Sequence, residues 1–290
     1  MPRPSTFSIV AFDPELEAWG IAVASKFPAV GAVVPWAEAG AGAVATQSFA
    51  NTSYGPRGLD LMRSGLSAQQ ALDQLLQGDQ DRATRQAGLV DAQGKAATFT
   101  GEDCYDWAGG QIGENYAAQG NILAGPQVIE AMTSTFQESE LPLPERLLAA
   151  LLAADRAGGD RRGKQSAALL VVKSEAGYAG FNDRWIDYRV DDHNDPVIRL
   201  GQLLELHHLY FGESPPEDKA ALEGELLEKL KIVMARLGYY EGEIDEQWSQ
   251  ETRQALRAFV GNENFEERVD LEAGTIDQPV LDYLLTKFES

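Results

Sequence analysis

A single cysteine, Cys104, in 290 residues leaves no partner for an intrachain disulfide, so the fold does not rely on an oxidising compartment. Histidine is nearly as scarce. His193, His207 and His208 are the three present and have no ligand-like spacing, so neither a metal site nor a cofactor is expected. No apolar run approaches a membrane span, and the opening MPRPSTFS has no signal-peptide core. A cytoplasmic protein that does not enter a membrane is the expectation. Cations are few, 24 Lys+Arg against 45 Asp+Glu for a net charge of −21, which disfavours nucleic acid and anionic lipid as partners. No glycine-rich stretch is followed by Gly-Lys-Ser/Thr, and no Gly-x-Ser-x-Gly elbow occurs, which removes the usual nucleotide and α/β-hydrolase signatures.

What is present is an ordinary globular composition, 44% hydrophobic and 24% charged, long enough for one sizeable core and a smaller second unit. Residues 6–12 alternate, with Thr6, Ser8, Val10 and Phe12 on one side and Phe7, Ile9 and Ala11 on the other. Asp13-Pro14-Glu15 breaks the run and residues 19–27 supply a second strand, so a hairpin is predicted. Both strands are apolar on both faces, as in a sheet covered on each side. Residues 41–49 read as a strand, and Ser67 as the N-cap of a helix over 68–77. A second hairpin is predicted at QAGLVDAQ and KAATFTG, a strand at 116–125, helices at 126–137 and 143–159, and strands at QSAALLVVKS and WIDYRVDD. A helix then starts at Pro196 with Asp195 as its cap. This order predicts an α+β protein with two stacked sheets between helical layers.

After GESPPEDKA the chain changes character. From Glu213 to Ser290 there are 8 Lys+Arg against 19 Asp+Glu, and three helical stretches. The predicted organisation is therefore residues 1–212, a linker at 213–217, and a three-helix domain over 218–290.

Two resemblances add to this reading. A hydroxyl-headed strand, a turn and then GIAVASKFPAVG resemble the opening of N-terminal-nucleophile (Ntn) hydrolases of the proteasome type, in which Thr heads the first strand and the second ends at a Ser-basic corner, here Ser25-Lys26. More widely, TFSIVAFD, GIAVASKFPAVGAVVPWAEAGAGAVATQ, NTSYGPRGL, QGNILAG, RGKQSAALLVV and RVDDHNDPV resemble a bacterial family of unknown function, domain-of-unknown-function family 1028, which is grouped with Ntn-type folds. The resemblance implies a four-layer αββα sandwich. The tail, through LKIVMARLGYYEGEIDEQWSQETRQALRAF, is similar to the peptidoglycan-binding helical domain; it departs where a Gly is usual, at Glu246-Gln247-Trp248-Ser249 after Asp245.

If the resemblance extends to mechanism, a hydroxyl attacks an amide-like C–N bond of a small molecule or peptide, with the free α-amine of the nucleophile as base. Thr6 fills that role only if residues 1–5 are removed. Ser8, on the same strand face, and Ser25 are the rival hydroxyls; Lys26 lowers the Ser25 pKa or holds a substrate carboxylate. Without a free amine, His193 is the candidate base, flanked by Asp191 and Asp192; the same run also reads as turn and cap chemistry before Pro196. Gln47, Asn51, Tyr54 and Asn121 are candidate donors to a carbonyl or oxyanion. Cys104 sits beside Asp103 and Asp106, which disfavour a thiolate. His207 and His208 lie in a last helical turn, where the helix dipole accounts for them. The rival reading is a non-catalytic binding or scaffold protein whose tail docks a protein partner or a glycan. Dimerisation through a sheet edge or the long helices is the default assembly.

Overall fold

The structure is a computed structural model and describes residues 6–288. In chain order it contains β1 (Thr6–Asp13), β2 (Ala18–Ser25), β3 (Pro35–Glu38), β4 (Gly42–Ser48), α1 (Tyr54–Arg63), α2 (Ala68–Gln77), β5 (Arg85–Asp91), β6 (Ala96–Thr100), β7 (Gly109–Gly113) and β8 (Tyr116–Asn121). Then follow α3 (Gln127–Glu138), α4 (Leu143–Arg156), β9 (Ser166–Lys173), β10 (Arg184–Val190) and α5 (Pro196–Phe211). The C-terminal part adds β11 (Lys219–Ala221), α6 (Gly224–Arg236), α7 (Gln250–Asn262), β12 (Val269–Asp270), β13 (Thr275–Asp277) and α8 (Gln278–Phe288). Among the described residues no helix is long and apolar enough to cross a membrane.

The chain is an α+β protein whose described strands form three antiparallel sheets: β10-β9-β2-β1-β8-β7, β3-β4-β5-β6 and β11-β13-β12. The predicted first hairpin is β1–β2, and β1 lies inside the larger sheet with β8 on its other edge. Two further strands, PWAE and GGQIG, escaped the sequence reading because neither alternates.

Period-two alternation decides what each strand face buries. Val10, Phe12, Trp19, Ile21 and Val23 of the larger sheet share one apolar cluster with Ala43, Ala45 and Val90 of the smaller, so these faces meet. Phe12 and Trp19 stack with ring centroids 4.7 Å apart, an arrangement that contributes about 1 kcal/mol beyond area burial. The Trp19 indole crosses between the sheets and donates to Asp91 O at 3.1 Å. The outer face of the smaller sheet, Val44, Ala87, Leu89 and Ala97, packs under α1 and α2. On the outer face of the larger sheet, α4 approaches so closely that a Cβ on Gly20 would stand 2.5 Å from Leu147 Cδ1.

Ser67 caps α2 as expected, in a reciprocal capping box with Gln70. Asp195 O accepts from Arg199 N at 3.0 Å, closing the first turn of α5.

Two compact units divide the chain, residues 1–203 and 204–290, with the division inside α5. In the C-terminal unit Leu209 and Tyr210 of α5 pack on the core formed by Leu227, Leu230, Leu256, Phe259 and Leu284. Buried Arg268 donates to His208 O and Leu209 O at 2.8 Å, to Ser214 Oγ at 3.3 Å and to Asp277 Oδ2 at 2.5 Å. It thereby adds a second bond to His208 O, which already accepts from Gly212 N at 3.0 Å, gives Leu209 O a partner at the end of α5, and fastens the 213–217 segment at Ser214. The three-helix expectation is corrected here: α6, α7 and α8 are joined by the small sheet β11-β13-β12. Its strands of two or three residues are too short to leave an alternating pattern.

Fully buried Lys231 donates to Asp245 O at 3.0 Å, to Gln247 O at 2.9 Å and to the Asp245 carboxylate. That contact, first among its causes, holds the Asp245 carboxyl below its ordinary range. The Asp245–Ser249 loop is thus fixed by a buried cation, and Ser249 caps α7 by accepting from Thr252 N.

His207 is a second correction. It is buried, and burial first, then the neighbouring His208, lowers its pKa to about 4. The helix dipole would raise it; desolvation wins. The folded chain therefore stays unprotonated at His207 in the window from its ordinary 6.5 down to about 4, where the unfolded chain binds the proton. Stability falls as pH drops through that window. In His207→Leu the fall in thermal midpoint between pH 6.5 and 4 is expected to be smaller than in wild type; an unchanged profile would contradict the assignment.

Candidate functional site

The layer between the two large sheets changes from apolar to polar along β1. Val10 and Phe12 face the apolar cluster, and period two puts Ser8 and Thr6 on the same face. Register brings Thr6 beside Ser25 of β2 and Asn121 of β8, and Ser8 beside Gln119. In the facing sheet Gln47 pairs with Gln86. All of these side chains are buried.

Buried amides and hydroxyls must find partners within the layer. Ser8 donates to Gln47 Oε1 at 2.6 Å and accepts from Gln119 Nε2 at 2.7 Å. Gln47 Nε2 lies 3.2 Å from Thr6 O, 2.9 Å from Gln86 Oε1 and 3.3 Å from Gln119 O. Gln86 Oε1 also accepts from Asn121 Nδ2 at 2.9 Å, while Gln86 Nε2 donates to Gly120 O at 2.7 Å. Gly88 makes room for this network, since a Cβ there would stand 1.9 Å from Gln119 Oε1. Gln47 thus fixes the peptide at Thr6, and Ser8 has its proton directed at one amide and a lone pair at another.

Thr6 differs from Ser8. Its hydroxyl donates to Ser25 Oγ at 3.3 Å, and the residue lines a cleft of ≈ 40 Å³ together with Phe27, Val30, Val33, Val34, Gln47, Ser48 and Ala50. Left-handed backbone at non-glycine residues gathers round this end: Ala29 at φ 52°, Ser48 at φ 64° and Ile122 at φ 51°. Such conformations cost of order 1–3 kcal/mol each and persist where the surroundings over-determine them. The surroundings here are visible. Ser166, the β9 neighbour of Ser25, donates to Phe27 O and accepts from Val30 N at 3.1 Å, and Ala29 N donates to Asp191 O at 2.9 Å.

The corner after Ser25 is built by Asp160. Its buried carboxylate accepts from Lys26 N at 2.7 Å and is paired with Arg162 at 3.0 Å. The Lys26 ammonium goes instead to Lys164 O at 3.2 Å. Gln165 ties the turn that carries the candidate base His193 to the same corner: its N donates to Ser25 O at 3.1 Å, its O accepts from His193 N at 2.8 Å, and its side chain donates to Asp192 at 3.1 Å. Asp191, Asp192 and His193 are themselves exposed, and His193 Nδ1 accepts from Asp195 N at 2.9 Å. Among the described residues no hydrogen bond joins that imidazole to Thr6, Ser8 or Ser25.

Asn51 and Tyr54 join a different group. Asn51 Nδ2 at 3.1 Å, Tyr54 OH at 2.9 Å and Arg85 Nε at 2.9 Å all donate to Asp79 Oδ2. Arg85, the first cause, holds the Asp79 carboxyl far below its usual range; burial first, then Asp79, pushes the Tyr54 phenol far up. Arg85 also donates to Phe49 O at 2.7 Å, so this cluster anchors the 49–54 loop. Cys104 is buried with Sγ donating to Arg85 O at 3.3 Å, and burial raises its pKa, as does Asp103 to a lesser degree. Among the described residues no group of three or more His, Cys, Asp or Glu is placed to hold a metal ion.

A family model described as "Family of unknown function (DUF1028)" matches residues 6–200. The chain belongs to the DUF1028 family. A second model, "Putative peptidoglycan binding domain", matches residues 210–284 and suggests a glycan partner for the tail. The crystal structure of protein SPO2555 from Silicibacter pomeroyi, of the same DUF1028 family, is similar at a TM-score of 0.64 and 35% identity, over 70% of this chain and 89% of that one. No curated protein matches the chain.

Of the residues singled out in the sequence, the structure of this DUF1028 unit gathers Thr6, Ser8, Ser25, Gln47 and Asn121 at one end of the two sheets and directs Lys26, Asn51, Tyr54, Asp191, Asp192 and His193 elsewhere. Gln86, Gln119, Asp79, Arg85, Asp160 and Ser166 were not singled out. The signal for the first two was an amide in a largely apolar strand: Gln86 before Ala87-Gly88-Leu89-Val90, and Gln119 after Tyr116-Ala117-Ala118. Two substitutions separate the clusters. Ser8→Ala leaves Gln47 Oε1 and Gln119 Nε2 each without this partner and is expected to cost about 1–3 kcal/mol in urea unfolding. Asp79→Ala removes the buried carboxylate partner of Arg85, leaving it Phe49 O and the exposed Asp81, and is expected to cost about 1–3 kcal/mol. A change within ~0.5 kcal/mol in either would contradict the bonding described.

Proposed function

We propose that the DUF1028 unit is a hydrolase of the Ntn type, a four-layer αββα sandwich, that cleaves an amide-like C–N bond in a small molecule or peptide. The observation that carries this reading is Thr6: it heads a central strand, lines a cleft, and its hydroxyl is bonded to Ser25 rather than locked between amides as Ser8 is. Removal of residues 1–5 would free the Thr6 α-amine, a base with a pKa of about 7.7–8.0. The amine takes the proton of Thr6 Oγ1 while that oxygen bonds to the substrate carbonyl carbon. The C–N bond then breaks, the proton passes to the departing nitrogen, and water hydrolyses the Thr6 ester. Gln47 positions the Thr6 peptide through Thr6 O, and the strained turns at Ser48 and Ala29 hold the cleft walls.

The binding-protein reading draws on His193, whose Nδ1 is engaged by Asp195 N in its own exposed turn. On that reading the cleft holds a ligand without chemistry and the tail docks a glycan. With its only cysteine buried, we place the protein in the cytoplasm; recovery in the cell-wall fraction would show that the tail sets the location instead.

The test is intact mass after expression of the full chain. A species beginning at Thr6, lost in Thr6→Ala, is expected; only the full-length mass would remove the α-amine mechanism and leave the binding reading.

A further inference from the structure

We infer that the cleft at Thr6 selects a small, uncharged, aliphatic acyl group of the substrate, with Val33 as a residue that sets its size; this rests on the hydrolase reading above. Apart from Thr6, Gln47 and Ser48, the walls are hydrocarbon: Phe27, Val30, Val33, Val34 and Ala50. Among the described residues no ionisable side chain lines it. The nearest candidate cation in sequence, Lys26, sends its ammonium to Lys164 O, and the Asp160 carboxylate is taken up by Arg162 and Lys26 N. A charged group in the cleft would lose its hydration without a partner.

Size follows from volume and stiffness. The cleft holds ≈ 40 Å³, on a measure in which one water needs roughly 10–15 Å³, so about three light atoms fit and a phenyl ring does not. The walls do not readily give. Thr46 N donates to Val34 O at 3.1 Å, Ser166 bridges Phe27 O and Val30 N, and Ala29 is held in the left-handed region by Asp191 O. Val30 and Val34 are core residues, whereas Val33 is half-buried and packs on that core from its edge.

The experiment uses the full chain as purified, with its N-terminus read by intact mass. It is treated with p-nitrophenyl esters of acetate, propionate, isobutyrate, hexanoate, benzoate and succinate. Thr6 Oγ1 bonds to the acyl carbon, p-nitrophenolate leaves, and the threonine proton goes to the amine and then to solvent. Adduct formation at Thr6 is followed by mass and peptide mapping and normalised to spontaneous hydrolysis. The three short acyl groups are expected to react at least tenfold faster than hexanoyl, benzoyl and succinyl. Val33→Ala is expected to raise the hexanoyl rate about tenfold relative to acetyl, the scale of a methylene or two in a hydrophobic pocket. Acylation of Thr6 with no size or charge preference, or with hexanoyl, benzoyl or succinyl ahead, would overturn the selectivity and leave the hydrolase reading standing. No adduct together with no Thr6-dependent release of p-nitrophenolate from any ester would overturn both.

Discussion

Side-chain amides and a hydroxyl are buried between two sheets, where every one of them must be hydrogen-bonded inside the protein. Gln47, Gln86, Gln119, Asn121 and Ser8 meet that demand mainly through one another and through the carbonyls of Thr6 and Gly120. An unpaired member would cost about 1–3 kcal/mol, so the network fixes the relation between the sheets at this end. At the other end dispersion and hydrophobic burial by Phe12, Trp19, Ile21 and Val90 do so without directionality. The apolar half holds the sheets together; the polar half decides their register.

The position of Thr6 follows from that division. Among the described residues it stands at the end of the polar half, its carbonyl is gripped by Gln47, and it lines a cleft. The backbone around it is strained at Ala29, Ser48 and Ile122 and is held by bonds from Ser166 and Asp191. A reactive group that must be held in one place gains from such a frame. The adjoining Asp79–Arg85 pair secures the loop after Ser48, while Asp160 and Gln165 secure the corner after Ser25.

Much of this was legible in the sequence, and the rest was hidden for identifiable reasons. The β1–β2 hairpin shows in two strands that are apolar on both faces, and the shared face of Thr6 and Ser8 follows from period two. The amides Gln86 and Gln119 stand beside apolar runs in their strands, but their partners depend on register between sheets, which no local pattern encodes. Asn51 and Tyr54 were grouped by proximity in sequence with the site, whereas Asp79, some 25 residues on from Tyr54, draws them into another cluster. The strands of the C-terminal unit are too short to alternate, and His207 carries no sign in the sequence that α5 buries it.

On the hydrolase proposal this frame holds one reactive hydroxyl, that of Thr6. Labelling the purified protein with an aliphatic β-lactone, which opens on a nucleophile without a leaving group, and mapping the modified peptide tests it most directly. A single adduct on Thr6 is the predicted result. An adduct on Ser25, Ser8 or Cys104 instead, or no adduct, would contradict the account.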